Sequence, residues 1–233
     1  MVVTSSSPGL ISFDDVPDGR FRPACFGRVM RISIRVIVCC VGLAGLLPSM
    51  ASSPLAAQEV IIREYETKAR VICLLGTFVA WPNAEAPNAQ RPLTIGVLGK
   101  DPFTERGINQ LDQAIATERA KGNQIVVRRF DSAKDYKPCH ILYVSDEAAP
   151  NSVEQNLKAR LAAALNLAKN KPVLLVGGAP ELATQGVAAN MLYDRVANVI
   201  RLELNPEEAD RHKLKFDAQL LNLSVVQIVR DKK

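Results

Sequence analysis

Few side chains in this sequence have the chemistry for catalysis or metal binding, and their spacing argues against most of it. The chain has 233 residues and two histidines. His140 follows Cys139 directly inside the apolar run Cys139–Val144. Neighbouring residues of a strand point to opposite faces. Cys139 and His140 therefore make no nucleophile–base pair, and His140 reads as a hydrogen-bonded histidine of a core or sheet edge. His212 lies in a charged segment expected to be helical. No Cys, His and Asp cluster has metal-ligand spacing, and no paired carboxylates stand at the spacing of hydrolytic chemistry. Gly99-Lys100-Asp101 and Gly177-Gly178 are glycine turns after apolar runs, but neither completes a phosphate loop or a dinucleotide fingerprint. They do set backbone N–H groups at the end of a strand, with Lys100 as the counter-charge for an anion or small ligand. Asp101 reads as a helix cap and Trp81 as a packing residue at a helix end. No cofactor is implied.

The elements that must position these residues follow from apolar periodicity. The stretch Leu93–Phe103, LTIGVLGKDPF, reads as a buried strand, a glycine turn and a helix start. Gly99 permits the turn, and Asp101-Pro102 suits an N-cap followed by a first helical position. Before it, Glu59–Ala80 is predicted helical, with Tyr65, Ala69, Ile72, Leu75 and Phe78 recurring at three- and four-residue steps. Trp81-Pro82 stops that helix. After it, a helix is expected over Pro102–Ala120, with Phe103, Ile108, Leu111 and Ile115 as its inner stripe. Strands are expected at Gln124–Phe130, Cys139–Val144 and Pro172–Val176. A helix over Asn151–Ala168, capped by Asn151 or Ser152, separates the last two, and Glu181–Gln185 makes one short turn. Val187–Tyr193 and Val199–Leu204 read as a hairpin, Asn205-Pro206 as the start of a short helix, and Phe216–Val229 as a closing helix. The alternation predicts an α/β layered sandwich. Its central sheet is mostly parallel, with an antiparallel edge hairpin near the C-terminus and helices on both faces.

Composition limits the function classes. The chain is 48% hydrophobic and 5% aromatic, with a net charge of +5. Up to Ala57 there are five Arg and three Asp; beyond it, charges of both signs are interspersed apart from the cluster Arg211, Lys213, Lys215. No basic stripe with aromatics appears, which excludes nucleic acid as the expected partner. Residues 1–29 lack periodicity and read as disordered or as a start set too early. From Met30 a basic region, the apolar run Val36–Leu47 and a string of small residues make a signal peptide over 30–57, cleaved after Ala57. The apolar run is too short for a comfortable bilayer span. The mature chain, 58–233, is then one exported, soluble α/β domain in an oxidising compartment. It keeps two cysteines, Cys73 and Cys139, which are either a disulfide or two buried thiols.

Five segments taken together resemble one family. They are EYETKARVICLLGTFVAWP (Glu64–Pro82), PLTIGVLGKDPF (Pro92–Phe103), IVVRR (Ile125–Arg129), CHILYVS (Cys139–Ser145) and RLELNPEEADRHKLKFDAQLLNLSVVQIV (Arg201–Val229). In order and spacing they resemble the YfiR family of exported bacterial proteins. The chain departs from the family pattern at Ala80, at Gly177-Gly178 and at Val187-Ala188. The resemblance implies a non-enzymatic periplasmic regulator. Its partner would be a membrane-bound diguanylate cyclase or similar sensor protein, held through the periplasmic sensor domain, with effects on cyclic-di-GMP and biofilm. A homodimer is an open alternative for its assembly. Lys100, Asp101, Phe103 and Ser145 at the strand ends, and Arg211, Lys213 and Lys215, are the expected partner or ligand surfaces. A periplasmic small-ligand binding module is the second reading, and an exported hydrolase using Ser145 or Asp101 the third.

Overall fold

Leu93–Leu98 is buried at all six positions, and the sheet is laid out around it. The computed structural model describes residues 54–88 and 90–230, and over 54–62 only the backbone. The expected unstructured segment and residues 30–53 of the expected signal peptide lie outside the described residues. Ala57 falls in the first turn of helix α1, Pro54–Phe78. α1 runs into the two-residue strand β1, Val79–Ala80, and Trp81-Pro82 turns the chain towards β2, Leu93–Leu98. A small hairpin follows, β3 (Thr104–Glu105) with β4 (Ile108–Asn109), and then α2, Gln110–Ala120. β5 is Ile125–Phe130 and β6 is Ile141–Val144, joined through a 3-10 turn at Ala133–Asp135. α3, Leu157–Ala168, leads to β7, Leu174–Gly177. The hairpin β8 (Ala189–Asp194) and β9 (Val199–Leu204) precedes α4, Pro206–Arg211. β10 (Lys215–Phe216), α5 (Ala218–Leu221) and β11 (Val226–Ile228) finish the chain.

Seven strands form the central sheet in the order β11-β9-β8-β7-β6-β2-β5. Every neighbouring pair is parallel except β8 with β9. The chain leaves β2 for β5 on one side and returns to β6 on the other. That reversal leaves a crevice outside the carboxyl ends of β2 and β6.

The period-two rule sorts the core into two layers. Ile95, Val97, Ile141, Tyr143, Leu174 and Val176 face Ala69, Ile72, Cys73 and Leu75 of α1 and Leu111 and Ile115 of α2. Leu98, Leu142, Val144 and Leu175 face Ala164 and Ala168 of α3 on the other side. Because β2, β6 and β7 are buried on both faces, they read as continuous apolar runs and not as alternating ones.

Three local expectations are corrected and one open alternative is settled. The helix expected over Pro102–Ala120 begins only at Gln110. Arg106 and Gly107 both adopt positive φ, the geometry of a two-residue hairpin turn, so residues 104–109 form β3 and β4 instead. Asn109, not Asp101, is the N-cap, its Oδ1 accepting from Asp112 N at 3.0 Å, and Ile108 is half exposed instead of inward. The helix expected from Asn151 starts after Asn156, which caps it through Ala159 N at 2.9 Å. Upstream, Ser152 Oγ accepts from Glu154 N at 3.1 Å, a local turn that competes with helix. The closing helix over Phe216–Val229 is a single turn and then β11. The outer edge of β9 needs partners, and Val225 O and Val229 N supply them to Leu202 N and Leu204 O. Finally, Cys73 and Cys139 are free thiols and not a disulfide. Cys73 packs in the α1 layer and Cys139 in the α3 layer, with the sheet between them.

Candidate functional site

The expected site residues divide between two opposite rims of the sheet. The carboxyl rim holds Gly99–Asp101 after β2 and Ser145–Glu147 after β6. Gly99 has φ +99°, and a Cβ there would sit 2.7 Å from Glu147 O and 3.0 Å from Arg160 Cδ. Only glycine fits both the angle and the space. Lys100 N donates to Glu147 O at 3.0 Å, and the Lys100 ammonium is paired with the Glu147 carboxylate. That hydrogen bond and charge hold the Lys100 pKa above its ordinary value. Both groups are more than half exposed, and such a pair adds at most about 1 kcal/mol. Lys100 is therefore paired only weakly, and its charged end stays exposed.

Asp101 braces the turn instead of capping a helix. Its Oδ1 accepts from Phe103 N at 2.8 Å, and its Oδ2 accepts from Asn109 Nδ2 at 2.8 Å and from Arg129. Arg129 reaches on to Asp112 at 3.0 Å. Phe103 and Ser145 are both fully buried and cannot offer side chains to a partner. Phe103 instead seats α1 on the sheet, edge-on to Tyr65 at 5.8 Å and to Tyr143 at 5.2 Å. Ser145 Oγ accepts from Glu147 N at 3.2 Å and its carbonyl accepts from Arg160.

Two features of this rim escaped the sequence reading. Arg160 is completely buried and clamps the β6–α3 loop through three carbonyls. Nε donates to Ser145 O at 2.9 Å, Nη1 to Glu154 O at 2.7 Å and Nη2 to Asp146 O at 2.7 Å. Burial pulls its pKa down, against the pull of Asp146 and Glu154. The only signal would have been a basic residue on the inner face of an otherwise apolar helix. Below the rim lies a buried polar knot. Lys68 is paired with Glu64 at 2.6 Å, and its ammonium stands 5.1 Å from the Tyr65 ring centre. A Cβ on Gly178 would lie 2.6 Å from the Tyr143 hydroxyl and 3.2 Å from Lys68 Nζ. Burial raises the Tyr65 pKa to about 12 and holds that of Tyr143 well above its ordinary value. Glu64 and Lys68 sit four residues apart, the helical spacing for such a pair.

The amino rim holds the basic cluster. Arg211, Lys213 and Lys215 are exposed and alternate with buried His212 and Leu214. Lys215 belongs to β10, which pairs antiparallel with β1 at Ala80. Two residues on, Asp217 N donates to Phe78 O at 2.8 Å. Beside this pairing, Val71, Leu74, Phe78, Leu223 and Val225 line an apolar cleft of about 100 Å³, in which Leu74, Leu223 and Val225 are exposed. His212, expected on the α4 helix, is its C-cap. Nδ1 lies 3.1 Å from Lys171 O and Nε2 3.4 Å from Glu208 Oε1. Both partners are acceptors, and the hydrogen bond with Glu208 raises the ring's pKa above its ordinary value. His140 differs. Nδ1 accepts from Thr94 N at 2.9 Å and Nε2 donates to Glu85 O at 3.1 Å, so the ring is neutral and burial lowers its pKa. The hydrogen-bonded wall histidine expected from the sequence is what the structure contains.

Among the described residues, no group of three or more His, Cys, Asp or Glu side chains is placed to hold a metal. No described helix is long and apolar enough to cross a membrane. The class that emerges is an open-sheet α/β protein with a braced, charge-paired carboxyl rim and a basic amino rim. The chain belongs to the YfiR/HmsC-like family, whose description matches residues 65–225. The family is one of periplasmic regulatory proteins. Among solved structures, a conserved domain protein from Vibrio cholerae is similar at 12% identity and a TM-score of 0.40. The match covers 72% of this chain and 60% of that one, so this chain spans well under the whole of that protein. No curated protein matches the sequence.

Proposed function

We propose that this protein is a non-enzymatic periplasmic regulator that binds and inhibits the periplasmic sensor domain of a membrane diguanylate cyclase, lowering cyclic-di-GMP output and biofilm formation. The observation that carries this reading is the family match across residues 65–225. The amino rim is the face we assign to the partner. It carries Lys213, Lys215 and Arg211, the last paired with Glu208, and the apolar cleft around Leu74, Leu223 and Val225 lies beside its β1–β10 pairing. An apolar core with a charged rim is the usual anatomy of a protein interface. The partner face should therefore be apolar with acidic neighbours. Of the strand-end residues, Lys100 alone has an exposed charged end, and it is already paired.

The test is capture of detergent-solubilised cyclase by the exported chain, followed by cyclase turnover with and without it. The expected result is capture and reduced turnover, with both lost in Leu74→Asp and Leu223→Asp and weakened in Lys213→Glu. Binding with unchanged turnover would overturn the inhibitory reading. Absence of binding to any cyclase with a periplasmic sensor domain would overturn the whole of it.

A further inference from the structure

A second cleft on the amino rim has a different chemistry. It opens between the loop before β2, the end of the 3-10 turn and the entries to β6 and β7, with a volume of about 580 Å³. That lies in the range of small-molecule sites, roughly 300–1,000 Å³. Its walls carry Arg91, Arg128 and Lys171 against one acid, Glu85. None of the three cations has a carboxylate partner among the described residues. Arg128 Nη1 donates to Pro138 O at 2.7 Å and Arg91 Nη1 donates to Ala84 O. Lys171 Nζ stands 5.4 Å from the centre of the Tyr136 ring. Carbonyl bonds thus fix the two guanidinium groups without spending their charge, which is preorganisation for an incoming anion. Two neighbours register the resulting field. After burial, Arg91 and Arg128 are the charges that lower the His140 pKa, and Arg128 and Lys171 act in the same sense on the Cys139 thiol. Next to it, Lys134 and Lys137 line an adjoining groove that shares Arg128 and Tyr136.

We infer that this cleft binds a small organic oxyanion carrying two negative charges, a dicarboxylate or a phosphate monoester, between Arg91, Arg128 and Lys171. Guanidinium forks donate to either group in bidentate fashion, and the ammonium supplies the third charge. His140 serves as a fixed neutral wall, since both ring nitrogens are already engaged. The inference is independent of the cyclase reading, because it concerns the isolated protein.

Isothermal titration of the exported chain with succinate and with glucose 6-phosphate tests it, using glucose as the uncharged control at matched ionic strength. One saturable site for at least one anion and none for glucose is expected, and the tighter of the two identifies the headgroup. Arg128→Gln/Lys171→Gln should weaken that binding about tenfold or more, a loss of roughly 1.4 kcal/mol. Lys171→Gln alone, which touches no backbone hydrogen bond of its own side chain, should weaken it several-fold and serves if the double variant unfolds. Lys158→Gln/Arg201→Gln, on other faces, should leave binding unchanged. Absence of saturable binding to both anions, or an equal loss in the Lys158/Arg201 variant, would overturn the proposal.

Discussion

Arg160 shows how much a single side chain organises. Three neutral carbonyls accept from it, so the loop after β6 is held by a buried charge with no carboxylate contact. Hydrogen bonds to charged groups contribute about 1.5–3 kcal/mol each, but not additively. Arg160→Leu should destabilise by about 3–5 kcal/mol, the range for breaking a buried charged network. Arg160→Lys should recover little of that, since an ammonium cannot span three carbonyls from one stem. Urea unfolding midpoints check both. Gly99→Ala should destabilise by more than about 1 kcal/mol, because the added methyl meets Glu147 O at a backbone angle alanine resists. The two histidines set opposite pH dependences. His212 has a raised pKa, so its contribution is complete below the ordinary value of 6.5 and is lost as pH rises through the raised value. His140 has a lowered pKa, so its contribution is complete above 6.5 and is lost as pH falls through the lowered value. His212→Asn should flatten the alkaline side of the stability profile near neutrality, and His140→Asn the acid side. Unfolding midpoints measured between about pH 5 and 9 would show it.

At the scale of elements, caps and strands carry the tests. Asn156→Ala removes the acceptor for Ala159 N at the start of α3 and should cost about 1 kcal/mol. A chemical melt resolves that change. The same position shows where sequence was readable. Asn205-Pro206 announced α4 correctly because cap and first-turn proline stand together. The start of α3 was misplaced because Asn151, Ser152 and Asn156 all have cap chemistry, and only the bonds among Ser152, Glu154 and Arg160 choose between them. β2, β6 and β7 were legible because burial on both faces leaves an unbroken apolar run. β11 was not. Its Leu- and Val-rich sequence fits either period, and the deciding fact is the unpaired edge of β9, which is a property of distant residues. Likewise, Phe103 and Ser145 were placed at the right strand ends, but their side chains turn into the core, and no local pattern records that.

The whole molecule separates its two thiols by the thickness of a sheet. Burial raises the Cys73 pKa to about 12 and that of Cys139 to about 11. Both should resist alkylation at neutral pH in the folded protein and react once it is unfolded, with the folded protein's melting temperature indifferent to dithiothreitol. Mass spectrometry after iodoacetamide treatment reads this directly. A bridged pair, or fast labelling of either, would contradict the layer assignment. The two rims also divide labour. The carboxyl rim is braced by internal pairing at Lys100, Asp101 and Arg129, whereas the amino rim exposes Lys213 and Lys215 beside an Arg211–Glu208 pair. Of the expected surface residues, Phe103 and Ser145 are buried, whereas Lys100, Arg211, Lys213 and Lys215 are exposed.

The clasp between β1 and β10 joins the end of the first helix to a segment near the last residues of the chain. Beyond it, β11 takes the outermost place on one side of the sheet. A polypeptide delivered amino end first must therefore wait, with α1 unfastened and the flank of β9 bare, until residues 215–228 emerge. Chains cut short after Asn205 should be cleaved rapidly by proteases that spare the 233-residue chain.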